Sequence, residues 1–151
     1  MKKIMFVCHG NICRSPMAEY VMKDMVNKKG IGDSFLIESS ATSSEELGNP
    51  VHRGTLRKLA ENNVPAPPRY ATLLEKSDYI KYDLFICMDG RNVANAKRIL
   101  GGDPEGKIRL LMDYTGESRD VADPWYTGNF DDTYRDITFG IKCLLKRGEL
   151  I

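Results

Sequence analysis

A short apolar run and the turn that follows it decide how this chain folds. The run is Ile4-Met5-Phe6-Val7, the turn is Cys8-His9-Gly10-Asn11-Ile12-Cys13-Arg14-Ser15, and a helical pattern opens at Pro16. The apolar run predicts a buried strand. Proline suits the first turn of a helix, because the N–H that it lacks would have no partner there. The stretch therefore predicts a strand, a tight turn and a helix in direct succession.

The turn places five residues between a cysteine and an arginine, which suits the binding of a phosphate group. Unpaired N–H groups at a helix start attract anions, so they favour a phosphate and also the thiolate form of Cys8. The N–H groups of residues 9–14 are expected to surround the phosphate oxygens, and Arg14 offers a planar fork that matches two of them. Because the thiolate is the reactive form of cysteine, Cys8 is the candidate nucleophile.

The other residues of the turn fit the same interpretation. Gly10 lets the backbone curl without a Cβ, and Asn11 tolerates left-handed dihedral angles. Ser15 can cap the helix or donate a hydrogen bond to the Cys8 sulfur. Taken singly, Cys8 is typical of a buried strand and Arg14 of a solvated surface, but their spacing on a strand–turn–helix favours a site. The expected phosphate- or substrate-binding residues of the turn are His9, Gly10, Asn11, Ile12, Cys13 and Ser15.

Length and composition indicate one soluble domain. The chain has 151 residues, of which 42% are hydrophobic and 28% charged, and its formal net charge is +1. One domain over residues 1–151 is expected at this length. The near balance of charge argues against binding to nucleic acid or to a membrane surface. The N-terminal apolar run is too short for a signal peptide or a membrane span, which predicts a cytoplasmic protein.

The cysteines predict neither disulfides nor a metal site. Cys8 and Cys13 share the turn, while Cys87 and Cys143 lie in apolar runs, which fits a reducing compartment. Cys8, His9 and Cys13 lack the spacing of zinc ligands and have no convincing fourth ligand. No metal and no other cofactor are expected.

Strand-like and helical patterns alternate along the chain. The strand patterns are residues 4–7, 35–37, 84–88 and 108–112, and the helical patterns are residues 16–26, 50–60, 90–100 and 134–145. The expected helix boundaries are Asn49-Pro50 and Asp89 at starts, and Gly30, Asn62-Asn63, Gly101 and Gly148 at ends. This alternation predicts an α/β fold, with a four-stranded parallel sheet and helices on both faces, as in a flavodoxin-like three-layer sandwich.

Residues 113–129 show no periodicity and are expected to form a long loop, which at this length is often functional. Ligands of parallel sheets bind beyond the carboxyl ends of the strands, where this loop and the Cys8 turn both lie. Asp123 is the candidate general acid, since a carboxyl group on a mobile loop can protonate a leaving oxygen and then activate water. Asp123-Pro124 alone would be an ordinary turn. Trp125 and Tyr126 are suited to flank an aromatic ring.

These motifs resemble the low-molecular-weight protein tyrosine phosphatases. The family signature Cys-x-x-Asn-x-Cys-Arg-Ser matches residues 8–15, and Asp123-Pro124-Trp125-Tyr126 resembles the family's general-acid loop. Cys87-Met88-Asp89 with Asn92 resembles the end of its third strand, and the likeness spans the chain. The resemblance implies hydrolysis of phosphotyrosine on proteins, and of small aryl phosphates, through a cysteinyl-phosphate intermediate. It makes Cys8 the nucleophile, Arg14 the phosphate clamp and Asp123 the general acid and base.

The resemblance also implies supporting residues and partners. Ser39 is expected in a hydrogen-bond network with Asn11 and Ser15, and Asp89 is expected mainly as a helix cap. Cys13 either fills the turn or traps an oxidised Cys8 as a reversible disulfide, which would make the enzyme redox-sensitive. The expected partner is a phosphotyrosine-containing protein, with a tyrosine kinase among the candidates, and the expected state is a monomer.

The chain departs from the family pattern at four positions, one of which is Trp125, which replaces the first tyrosine of a common pair. His9 stands where a small or aliphatic residue is usual, and Glu45 where many members carry an aromatic wall. Pro68 falls where a histidine often joins the hydrogen-bond network, which predicts a network limited to Asn11, Ser15 and Ser39. Away from the motifs, His52 is expected on the surface at a helix start.

Three other functions stay open. A thiol-dependent arsenate reductase shares the fold and the loop but needs two further nearby cysteines, and Cys87 has no partner cysteine beside it. A protein-arginine phosphatase carries threonine where this chain has Ile12. A non-catalytic phosphate-binding module is the third, and the combination of Cys8, Arg14 and Asp123 argues against it.

Overall fold

The structure, a computed structural model, describes residues 1–147 and alternates strands with helices. The strands are β1 (Lys2–Cys8), β2 (Phe35–Ala41), β3 (Leu84–Cys87) and β4 (Ile108–Leu110). The α-helices within residues 1–147 are α1 (Arg14–Lys28), α2 (Arg53–Glu61), α3 (Asp78–Lys81), α4 (Gly90–Leu100), α5 (Pro124–Thr127) and α6 (Phe130–Lys146). Short 3₁₀ helices lie at Gly32–Ser34 and Leu111–Thr115.

The strands form one parallel sheet in the order β2-β1-β3-β4. Side chains of β1 alternate between its faces: Ile4 and Phe6 pack with the core that contains α1, α2 and α6, whereas Met5 and Val7 pack with the core that contains α4. The sheet is thus covered on both faces, as expected where every connection is a crossover. The predicted flavodoxin-like α/β fold is confirmed.

Several predicted helix boundaries are found in the structure. Asp89 caps α4 through a capping box with Asn92, which satisfies two backbone N–H groups at once. Gly30 and Gly101 follow α1 and α4 with φ angles of 73° and 80°, values that favour glycine. Gly148, the expected end of the last helix, lies outside the described residues.

The start of α2 differs from the prediction. Asn49-Pro50 was expected to open this helix, but Pro50 pairs in antiparallel fashion with Tyr70, and the helix begins at Arg53 after the cap His52. Backbone hydrogen bonds join residues 48–49 to Ala71 on both sides. Proline suits an extended segment as well as a helix start, so this long-range pairing decides the conformation.

Other segments differ because they are too short to show a period. β2 runs to Ala41 and therefore includes Ser39, and β4 ends at Leu110, where a 3₁₀ helix replaces the end of the expected strand. The expected loop 113–129 contains α5, and α3 was not predicted. Asp123 caps α5 and Pro124 lies in its first turn. This pattern indicates a helix start, but a helix of four residues is too short to show a helical period as well.

The carboxyl ends of β1, β3 and β4 lie at one edge of the sheet. The Cys8 turn follows β1, Asp89 follows β3, and the segment that leads to Asp123 follows β4. This edge brings together residues more than one hundred positions apart. Within residues 1–147, no helix is both long and apolar enough to cross a membrane.

Candidate active site

The turn between β1 and α1 encloses the sulfur of Cys8. The N–H of Asn11 donates a hydrogen bond to Cys8 Sγ at 3.2 Å, and Ser15 Oγ lies 3.0 Å from the same sulfur. Asn11 has a φ of 58°, the left-handed conformation that the sequence anticipated for it. These two contacts fix the position of the Cys8 sulfur inside the turn.

A buried amide supports the turn from beneath. Asn11 is completely buried, and its Nδ2 donates to Ser15 Oγ at 2.8 Å and to Ser39 Oγ at 3.0 Å. Its Oδ1 accepts a hydrogen bond from the N–H of Thr72 at 3.0 Å. The predicted trio of Asn11, Ser15 and Ser39 is therefore present, and it holds the backbone of the turn in a strained conformation.

The prediction that this network stops at the trio was wrong, because Glu19 and Arg69 extend it. Ser39 Oγ donates to Glu19 at 2.5 Å, and Arg69 Nε lies 3.4 Å from the same carboxylate. Arg69 also donates to the carbonyl oxygens of Asn11 and Ser39, at 3.5 and 3.2 Å. Pro68 has no side-chain donor, but the residue after it supplies one from a guanidinium group.

The sequence contains a local pattern that places Glu19 near the turn, but none that does so for Arg69. Glu19 lies four residues after Ser15 in α1, so both share a helix face that points toward the turn. Arg69 follows two prolines in an irregular segment, and no local pattern marks it. Its role arises only from contacts across the fold.

Arg14 is the central cation of the site. It is 3% exposed, its Nη2 lies 2.9 Å from Asp89 and 3.3 Å from Asp123, and its Nη1 donates to the carbonyl oxygen of Val121 at 3.1 Å. Burial acts to lower the pKa of Arg14, but the negative charges of Cys8, Asp123 and Asp89 more than offset it and raise that pKa. Asp89 thus both caps α4 and holds the guanidinium.

The surroundings of Cys13 favour its thiol form. Burial, reinforced by the charges of Cys8 and Asp123, raises the pKa of the Cys13 thiol to about 12. Cys13 therefore stays protonated near neutral pH and is a poor competitor as nucleophile. Burial also raises the pKa of Cys87. All four cysteines, which lie within the described residues, are free thiols.

Asp123 stands at the start of α5 and faces Arg14. Its Oδ1 accepts a hydrogen bond from the N–H of Trp125 at 3.0 Å, while its Oδ2 lies near Arg14. Trp125 and Tyr126 are 61% and 83% exposed. An exposed aromatic pair beside a carboxylate leaves apolar surface free for a flat ring.

His52 is not the surface residue that the sequence suggested. It is half-buried, its ring stacks on Phe130 with centroids 5.3 Å apart, and it meets Trp125 edge-on at 6.0 Å. Its backbone N–H donates to the carbonyl oxygen of Ile12 at 2.8 Å. His52 thus connects the Cys8 turn to the segment around α5.

The Cys8 turn, Asp89 and the segment around Asp123 surround a cleft of about 660 Å³. The predicted residues that line it are Cys8, His9, Gly10, Ile12, Cys13, Arg14, Asp89, Asp123, Trp125 and Tyr126. Asn11 and Ser15 do not line it, because their side chains point into the network behind the turn; only their backbone could meet a ligand. At the mouth, His9 Nε2 lies 3.1 Å from Glu45.

The arrangement can hold an oxyanion against a thiolate and offer a carboxyl group to the oxygen that leaves. Within residues 1–147, no cluster of three or more histidine, cysteine, aspartate or glutamate side chains is placed to hold a metal ion. A parallel α/β sheet with a cysteine–arginine turn after its first strand defines a class of proteins that bind phosphate beside a built-in thiol.

Comparisons with known proteins identify the family. The family model described as low molecular weight phosphotyrosine protein phosphatase matches residues 3–148. The chain belongs to this family of cysteine-based hydrolases.

The chain is similar to the low molecular weight protein-tyrosine-phosphatase YfkJ of Bacillus subtilis, with 35% identity over 96% of this chain and 94% of the relative. It is 38% identical to PtpA of Staphylococcus aureus over 89% of this chain and 85% of that protein. The crystal structure of YfkJ superposes with a TM-score of 0.93, covering 97% of this chain and 94% of that one. A Streptococcus pyogenes low molecular weight protein tyrosine phosphatase matches with a TM-score of 0.87 and 40% identity, over 98% and 93% of the two chains.

Proposed function

We propose that this protein hydrolyses phosphotyrosine on proteins, and small aryl phosphates, through a phosphate ester of Cys8. The observation that carries the proposal is the position of Arg14, whose turn encloses the Cys8 sulfur while its guanidinium contacts Asp123. The nucleophile, the phosphate clamp and the proton donor therefore meet in one cleft. Membership of the family supports the same reaction.

The first step transfers the phosphoryl group to sulfur. The phosphate oxygens bind to the backbone N–H groups of residues 9–14 and to Arg14, which stabilise negative charge in the transition state. Cys8 Sγ attacks phosphorus as the bond to the tyrosine oxygen breaks, and Asp123 gives its proton to that oxygen. The products are cysteinyl phosphate, a neutral phenol and an Asp123 carboxylate.

The second step restores the enzyme. Asp123, now ionised, takes a proton from a water molecule whose oxygen attacks phosphorus, and the bond to sulfur breaks. Inorganic phosphate leaves, Cys8 is again a thiolate, and Asp123 is again protonated. Asn11 and Ser15, which contact the sulfur, stabilise the thiolate as a leaving group.

Asp123→Asn is expected to lower kcat/KM for phenyl phosphate by roughly 10²–10⁴, the usual loss for a general acid. The amide cannot give up a proton, whereas it can still accept the hydrogen bond from the N–H of Trp125. The loss should shrink with dinitrophenyl phosphate, whose leaving group needs little protonation. Steady-state kinetics over a series of aryl phosphates measure this, and an equal loss across the series would exclude Asp123 as the acid.

The cleft favours an aromatic phosphate ester. Trp125 and Tyr126 can flank a phenyl ring, and each ring–ring contact contributes about 0.5–1.5 kcal/mol beyond area burial. Phosphoserine is too short to place its leaving oxygen near Asp123 while its phosphate lies on Cys8. Ile12, which lines the cleft, offers apolar surface and no hydroxyl group to a guanidinium.

Matched phosphotyrosine, phosphoserine and phosphoarginine peptides, assayed without added metal, test the substrate class. We expect a strong preference for phosphotyrosine in kcat/KM, and Ile12→Thr should erode the preference over phosphoarginine. Equal losses on all peptides would mean that Ile12 only packs the turn. A wild-type enzyme that prefers phosphoarginine would overturn the assignment.

The proposed partner is a phosphotyrosine-containing protein, such as a tyrosine kinase, bound by a monomer of this chain. The free thiol at Cys8 fits a reducing compartment such as the cytoplasm. A reversible Cys8–Cys13 disulfide stays a prediction, supported by the presence of both residues in the lining of one cleft.

A further inference from the structure

A bidentate ion pair joins residue 119, in the segment before Asp123, to helix α6. Arg119 Nη1 donates to Asp136 Oδ2 at 2.9 Å, and Arg119 Nη2 donates to Asp136 Oδ1 at 2.8 Å. Both Nη atoms of Arg119 and both carboxylate oxygens of Asp136 are thus used, which fixes the orientation of the two groups as well as their separation, while Nε of Arg119 pairs with Glu117. We call Arg119 and Asp136 the loop clamp.

Asp136 is unusually buried for a carboxylate, since it is only 8% exposed and lies beside the core residue Ile137. The same carboxylate accepts a weaker hydrogen bond from the N–H of Ala122 at 3.5 Å. One turn earlier on α6, Thr133 Oγ1 donates to the carbonyl oxygen of Ala122 at 2.9 Å. The backbone N–H and the carbonyl oxygen of Ala122, the residue just before Asp123, are therefore both held by α6.

Val121, the residue before Ala122, is held by residues on the side of the segment opposite α6. The N–H of Val121 donates to the carbonyl oxygen of Met88 at 2.8 Å, and its own carbonyl oxygen accepts from Arg14. Beyond Asp123 the chain turns outward into the exposed pair Trp125 and Tyr126. The position of the Asp123 backbone is thus set mainly by residues 119–122, which are held by the loop clamp, by Arg14 and by the hydrogen bond from the N–H of Gly90 to Asp120.

We propose that Arg119 and Asp136 are positioning residues that hold Asp123 where its carboxyl group reaches the leaving oxygen. The inference rests on the proposed role of Asp123 as general acid. Neither residue lines the cleft, so both act through the backbone of residues 119–122. An exposed ion pair usually contributes little, but this pair has two-pronged geometry and a buried carboxylate.

The test compares Asp136→Asn and Arg119→Gln with the wild type over aryl phosphates of different leaving-group acidity. We expect kcat/KM for phenyl phosphate to fall roughly 10- to 100-fold, the range that a displacement of about 1 Å in a reacting group can cost. With dinitrophenyl phosphate, which barely needs a proton donor, the value should change less than about threefold. Competitive inhibition by inorganic phosphate should stay at its wild-type strength, because the Cys8 turn is untouched.

Two further variants make the result specific. Arg135→Gln removes an exposed pair with Asp132 on the same helix and should leave the whole series unchanged. The double variant Arg119→Gln/Asp136→Asn should lose less than the two single variants combined, since each change already breaks the ion pair that the two residues share. If Asp136→Asn folds poorly, Arg119→Gln alone decides, because Arg119 is 46% exposed and its replacement leaves the buried side chains of α6 unchanged.

Asp123→Asn, measured in the same series, separates this inference from the proposed function. A selective loss in Asp123→Asn and in the loop-clamp variants supports both. If Asp123→Asn shows the selective loss but the loop-clamp variants lose nothing, or lose equally with every leaving group, the positioning role is wrong. If Asp123→Asn itself shows no dependence on the leaving group, the assigned acid is wrong and the inference fails with it.

Discussion

Cys8→Ser is expected to abolish turnover of phosphotyrosine while the fold and the binding of phosphate persist. The serine hydroxyl can keep the contacts that Asn11 and Ser15 make with the sulfur, so the turn should hold its shape. A hydroxyl group, however, does not ionise near neutral pH, and neither described contact of Cys8 Sγ, the N–H of Asn11 or Ser15 Oγ, is a base that could activate it. The variant should therefore bind an oxyanion without transferring it.

Kinetics and binding measured on the same purified protein check this expectation. Phosphate affinity is measured by calorimetry, and turnover by release of phosphate from a phosphotyrosine peptide. Cys143→Ser is the matched control, because it changes a free, half-buried thiol on α6, outside the cleft lining. Activity close to wild type in Cys8→Ser would disprove the thiolate mechanism.

Arg14→Lys should be almost as damaging. The side chain is buried and contacts Asp89, Asp123 and the carbonyl oxygen of Val121 at once, a pattern that a planar fork satisfies and a single ammonium group does not. We expect kcat/KM to fall by roughly 10³-fold or more, comparable with the loss of a cation that stabilises phosphoryl transfer.

Arg91→Lys provides the control for Arg14→Lys. Arg91 also lines the cleft but is exposed, so lysine can replace its charge with little effect. A kcat/KM for Arg14→Lys close to that of Arg91→Lys would show that Arg14 is not the phosphate clamp. The comparison holds net charge constant, so it reports geometry and not charge.

The fold could be predicted because its strands are buried on both faces. Such strands appear as continuous apolar runs, for example residues 84–87, and they alternate with helical patterns that end at glycines. The prediction of element boundaries was wrong where contacts between distant parts of the chain decide them. Residues 48–50 pair with residues 70–71, so Pro50 is extended and does not start a helix.

The site was predictable where its residues are neighbours in sequence. Residues 8–15 form one turn, and Asp123-Pro124 starts one short helix, so both motifs show their chemistry locally. Arg69 and Asp136 were missed because each resembles an ordinary surface charge. Their roles come from contacts with residues 17 to 58 positions away, which no local pattern records.

The most direct test of the account is to trap the covalent intermediate. The enzyme is denatured rapidly during turnover of a phosphotyrosine substrate, and the position of the phosphate is found by mass spectrometry under conditions that preserve thiophosphate esters. We expect phosphate on Cys8, and in greater yield in Asp123→Asn when dinitrophenyl phosphate is the substrate, because the first step then needs little acid while the second step lacks its base. Phosphate on His9 or Ser15, or continued turnover with no covalent phosphate on Cys8, would contradict it.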